Sequence, residues 1–146
     1  MPGIIVGIDG SGHSRRALEW AMKEAALRHA PLTVLTVYPA IAGFLGDADV
    51  HPGCPEATDQ TREAAQAETD KVLAGLDGPR PESVTVKVVH GYTVEEIIKA
   101  ARDADMLVLG SRGAGGFARM VMGSTCYLVA HHAPCPVLIV RSDHRK

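Results

Sequence analysis

Cysteine is scarce in this chain of 146 residues: Cys54, Cys126 and Cys135 form no CxxC pair, and an odd number cannot close into a disulfide framework. The same spacing argues against a cysteine-rich zinc site, and a reducing compartment is the setting that fits. Aromatic residues make up only 4% of the sequence, so aliphatic side chains must fill the interior, as they do where helices cover a sheet. Charge of one sign is not concentrated anywhere. A net charge of −2 with scattered basic residues leaves no footprint for a nucleic-acid backbone or an anionic membrane, though a small anionic ligand stays open. No run approaches the roughly 18–20 apolar residues of a membrane span. The amino terminus enters an apolar run by Ile4 without a charged leader, so the expected location is cytoplasmic.

What is present is an alternation of strand and helix patterns. Ile4 to Ile8 is a β-branched run closed by Asp9, Gly10, Ser11 and Gly12, the signature of a buried strand entering a turn. From Ser14, residues Ala17, Leu18, Ala21, Met22, Ala25 and Leu27 recur at near-helical spacing, and the helix should end near His29, ahead of Pro31. Leu32 to Val37 predicts a second strand. Residues 39 to 57 hold three prolines and three glycines, a lid or simply a long connection. Thr58 to Leu76 predicts a helix with a solvated, charged face, and Val84 to Val89 a third strand. Tyr92 to Arg102 predicts a helix opened by Thr93 and Glu96 at capping-box spacing. Met106 to Leu109, Ser124 to His132 and Pro136 to Arg141 complete the series as strand, helix and strand. Such alternation implies an α/β fold, a doubly wound parallel sheet joined by right-handed crossovers, with residues 1–146 forming one domain.

In sheets of this kind ligands settle outside the carboxyl ends of the strands, where strand order reverses. The loop after strand four, Gly110 to Ser124, is spaced G-x2-G-x9-G-S. Gly110, Gly113, Gly115 and Gly116 give the backbone freedom to approach an anion, so that consecutive N–H groups can converge on it. Gly123-Ser124 is expected to open the following helix, whose free N–H groups and dipole favour a phosphate, with hydroxyls from Ser124 and Thr125. The competing reading is a flexible loop with an ordinary N-cap at Ser124. No GxxxxGK[ST] occurs, and Gly10-Ser11-Gly12 lacks the third glycine of a dinucleotide fingerprint, so Walker-type NTPase and Rossmann dehydrogenase readings both weaken.

The Gly110–Ser124 pattern, together with Ile5-Val6-Gly7-Ile8-Asp9-Gly10-Ser11 and the tail His131-His132-Ala133-Pro134-Cys135-Pro136-Val137, resembles the universal stress proteins over the whole chain. The glycine spacing is similar to that of the family's ATP-binding branch. The resemblance implies a three-layer, five-stranded parallel sheet in the order 3-2-1-4-5, of the adenine nucleotide alpha hydrolase-like kind. It implies ATP, with Mg2+, as ligand. Ile8, Asp9, Gly10 and Ser11 would lie at the nucleotide, Asp9 meeting the ribose or a metal-bound phosphate. Val37 would hold adenine through its backbone groups, and Gly110, Gly113, Gly123, Ser124 and Thr125 would cradle the phosphates, helped by Arg112 and Arg119. A homodimer through the edge strand Pro136 to Arg141 is also implied, with an unidentified protein partner downstream.

Each of these residues has a plainer reading. Asp9 can cap the first helix instead. His131, His132 and Cys135 lack further ligands for a zinc site and read as packing and surface residues. Cys126, expected in the first turn of a helix, is either a dipole-activated redox thiol or a buried inert one, and the second is favoured. No catalytic nucleophile can be assigned. The function expected is a nucleotide-dependent stress-response sensor or regulator; the alternatives are a slow ATPase or phosphoryl-transfer enzyme and a ligand-free dimeric scaffold.

Overall fold

The computed structural model describes residues 3–9, 12–39, 55–111 and 118–141. Its strands are β1 (Ile4–Gly7), β2 (Leu32–Pro39), β3 (Val84–Gly91), β4 (Met106–Gly110) and β5 (Val137–Val140), and its helices α1 (Gly12–Arg28), α2 (Pro55–Ala74), α3 (Thr93–Ala101) and α4 (Ala118–His132). All pairings are parallel, in the order β3-β2-β1-β4-β5. That is the order the resemblance implied, with its reversal between β1 and β4.

Successive side chains on a strand face opposite sides of a sheet, and the buried residues divide accordingly. Ile4, Val6, Val34 and Val108 meet Ala17, Leu18, Ala21, Met22 and Ala25 of α1, together with Ala65 and Val72 of α2. Leu35, Leu107 and Leu109 face the other way, onto Ile97 and Ala101 of α3 and Cys126 and Val129 of α4. Each fully buried aliphatic side chain contributes about 1.5–3 kcal/mol, several times what one residue's helix propensity can add. Burial of the apolar stripe therefore fixes α1 more firmly than its intrinsic helicity does.

Helix ends depart from the sequence expectation where side chains are ambiguous. Pro55 starts α2 three residues ahead of Thr58, because proline is at home in a first turn whose N–H groups are unpaired anyway. At α3 the expected capping box does not form: Tyr92 is the N-cap, without a side-chain cap, and Thr93 is already helical. The spacing was right but one residue out of phase. Helix α1 ends on His29 at φ 54°, with Ala30 N–H reaching back to the Ala25 carbonyl at 3.0 Å, a left-handed terminus more often built with glycine. Gly3 is needed for close approach, since a Cβ there would run into the Pro31 carbonyl that accepts from Ile4 N–H at 2.9 Å.

Candidate functional site

Adjacent parallel strands bring their carboxyl ends to one edge. β1 lies between β2 and β4, so Ile8 and Asp9, Val37 and Gly110 come together there from three separate parts of the sequence. Pairing of β1 with β2 stops at Gly7 opposite Leu35, while β2 continues beside β3 to Pro39. The Leu35 carbonyl accepts from Ile8 N–H at 2.9 Å. Two residues on, Val37 turns its own backbone groups to the same side, past the last paired residue of β1.

Asp9 is exposed, and its backbone N–H donates to the hydroxyl of Ser14, a residue buried in the first turns of α1, at 3.3 Å. Ser14 thus fixes the turn that presents Asp9, a role its position at a helix start did not distinguish from capping. On the other side, Gly110 closes β4, its carbonyl accepts from the Cys126 thiol at 2.7 Å, and Ser111 N–H is held by the Val140 carbonyl at 2.9 Å. The end of β4 is thereby tied to both α4 and β5.

The start of α4 requires a correction. The helix begins at Ala118, so Gly123 and Ser124 stand in its second turn and Thr125 in its third. An α-helix leaves only its first four N–H groups free, and these belong to residues 118–121 rather than to Gly123-Ser124. Ala118, Arg119, Met120 and Met122 are strong helix formers, enough to carry a helix through one glycine at a cost of about 1 kcal/mol. Cys126 consequently sits far from the helix amino end. Burial pushes its thiol up to about 11, which leaves the inert reading and removes the redox one. Gly10, Ser11, Arg112 and Gly113 lie outside the described residues, as does most of the 39–57 connection.

Beside Asp9 the structure holds a cavity of about 390 Å³ between the ends of β1 and β2 and the flank of α2, lined among others by Ile8, Asp9, Thr36, Gln60, Ala64 and Glu68. Helix α2 is fastened over it at two points. Thr58 Oγ1 lies 2.9 Å from His90 Nε2 at the end of β3, and Glu68 pairs with Arg15 of α1. The hydrogen bond and then the charge of Glu68 raise the Arg15 guanidinium above its ordinary pKa. Sequence reading took α2 for a solvated helix and missed this wall. The available signal was the row Gln60, Ala64, Glu68 at a spacing of four, its middle member too small to fill the space. Among the described residues no cluster of three or more His, Cys, Asp or Glu side chains could hold a metal ion, and no helix is long and apolar enough to cross a membrane.

Comparison with known proteins agrees with this architecture. A universal stress protein from Thermus aquaticus, encoded in a QAH/OAS sulfhydrylase 3′ region, is 34% identical over 140 residues, covering 94% of this chain and 97% of its own. The structure of the universal stress protein UspA from Lactobacillus plantarum superposes with a TM-score of 0.77 at 25% identity, covering 96% of this chain and 97% of that one. A universal stress protein solved in complex with cAMP superposes with a TM-score of 0.63 at 27% identity, covering 95% of both chains. The chain spans about half the length of several other curated relatives, among them universal stress proteins of Mycolicibacterium smegmatis and Mycobacterium bovis, at 48% of each. With the family's characteristic sequence matched over residues 2–141 and its fold reproduced strand for strand, the chain belongs to the universal stress protein family.

Proposed function

We propose that this protein binds an adenine nucleotide, ATP with Mg2+, at the carboxyl ends of β1, β2 and β4, and serves in the cytoplasm as a nucleotide-dependent sensor or regulator of stress responses. The observation that carries this reading is the convergence of Asp9, the overhanging Val37 backbone and Gly110 at one edge, beside a cavity of about 390 Å³. A neighbour of the same fold solved with cAMP supports the nucleotide class. In this reading Asp9 meets the ribose or a metal-bound phosphate, and Val37 offers its backbone to adenine. The glycines of the loop after β4, with the first turn of α4, receive the phosphates. Fast phosphoryl transfer needs a positioned nucleophile and concentrated positive charge on the transferring group, and the sequence offers Arg112 and Arg119 but no Walker lysine. Binding rather than turnover is the activity proposed, in a homodimer joined through the β5 edge.

A thermal melt with ATP and Mg2+ tests the proposal. At a ligand concentration of roughly 100 Kd the native state gains about 2.7 kcal/mol, which for a chain of this size is a rise of about 5–10 °C in Tm. Asp9→Ala should remove much of that rise, GTP should give less of it, and Gly113→Val should abolish it while leaving a folded protein. A rise that decays as phosphate is released would favour an ATPase. No shift with ATP, AMP or cyclic nucleotides would sink the binding proposal in favour of a scaffold.

A further inference from the structure

We infer that the cavity beneath α2 receives the nucleoside half of the nucleotide, and that Gln60 of α2 is the residue that selects the base. The inference rests on the nucleotide-binding reading and assigns to α2 a specificity role that the strand ends and the glycine loop do not supply.

The cavity, at about 390 Å³, falls at the small end of the roughly 300–1,000 Å³ typical of ligand sites. Its charge decides which end of a nucleotide it accepts. Asp9 and Glu68 both line it, and among its described lining residues there is no lysine or arginine. Arg15, the nearest identified cation, is already engaged with Glu68, whose side chain is only 15% exposed. Carboxylates repel phosphate and accept hydrogen bonds from hydroxyl and amino groups, so the sugar and base enter and the phosphates stay outside, toward β4. Ile8 and Ala64 offer apolar surface to the face of a base.

Gln60 then discriminates. Its amide carries a donor and an acceptor side by side, the complement of the adenine N6 and N7 edge, whereas guanine presents two acceptors there. A selective wall must be rigid, and this one is held by the Thr58–His90 contact at one end and the Glu68–Arg15 pair further along.

The experiment is competition against a labelled ATP by adenosine, GTP and inorganic tripolyphosphate, with wild type, Ala64→Phe and Gln60→Leu. Ala64 is exposed on the helix, so a phenylalanine there can fill the cavity without invading the core, and a cooperative melt checks that each variant folds. Ala64→Phe should weaken ATP and adenosine by about tenfold or more, the scale of a blocked subsite, and leave tripolyphosphate competition unchanged. Gln60→Leu should bring ATP and GTP close to equal affinity. Wild-type ATP binding with both variants indistinguishable from it overturns the inference and leaves the nucleotide-binding proposal standing. Loss of tripolyphosphate competition in step with adenosine in Ala64→Phe also counts against it. A wild type that binds none of the four ligands brings down both.

Discussion

Cys126 shows how far a residue's role depends on where its element begins. Placed in a first helical turn, a cysteine would feel the dipole and ionise easily; placed eight residues into α4, against the Gly110 carbonyl and 5% exposed, it is a buried acid that resists ionisation. Its thiol rises from an ordinary 9.0 to about 11 in the folded protein through burial. The unfolded chain therefore loses this proton first. Stability from this group is intact below pH 9, and is lost progressively as pH climbs toward 11, by up to about 2–3 kcal/mol at two pKa units. Urea unfolding of wild type and Cys126→Ala at pH 8 and pH 10.5 should show the wild-type advantage shrinking at the higher pH. An advantage that stays constant would mean the thiol does not titrate differently on folding. Inertness was legible from residue type alone, since free cysteine is commonly buried, but the surrounding reason was not, because Gly123 reads as a helix start.

At the scale of the element, strands were the more legible part. Each was found within a few residues, since β-branched runs bounded by Gly and Pro have few alternatives. Helix starts were less so: Thr93 and Ser124 both carry the side chain of an N-cap, yet the chain begins α3 and α4 elsewhere, because a cap's worth of about 1 kcal/mol yields to packing of the whole helix. The nucleotide-facing row of α2 left almost no trace, as a wall of small residues looks like ordinary helix. The edge strand β5 carries the prediction at this scale. Carbonyls of Pro136 and Val140 point at β4, accepting from Leu107 and Ser111 N–H at 2.9 Å each, so by alternation the Ile139 N–H points out of the sheet. Ile139→Pro should therefore leave the β4–β5 ladder whole while removing an outward donor. If the proposed dimer pairs through this edge, sedimentation at micromolar concentration should find wild-type dimer and Ile139→Pro monomer. Equal dimer in both would place the interface elsewhere. Leu138→Pro is the poorer test, because Leu138 belongs to the ladder itself.

At the scale of the whole molecule, the sheet separates two interiors of unequal size. The one under α1 and α2 gathers most of both inner strands' largest buried residues, including Ile4, Leu18, Met22 and Leu32, while the one under α3 and α4 rests on Leu35, Leu107, Leu109 and a few partners. Regions with fewer buried contacts open at lower free energy than the whole. Native-state hydrogen exchange should accordingly find amides of α1 and β1 exchanging only through global unfolding, and those of α3 and α4 exchanging through a smaller, earlier opening. Convergence of both helix pairs on one free energy would contradict it. The thinner interior is also the one joined to the glycine loop, through α4, and to the β5 edge, through the contacts of Gly110 and Ser111 with Cys126 and Val140. A ligand gripping that loop thus pulls on the compliant half of the molecule, and its arrival can be felt at the outer strand as a change of stiffness without any change of shape.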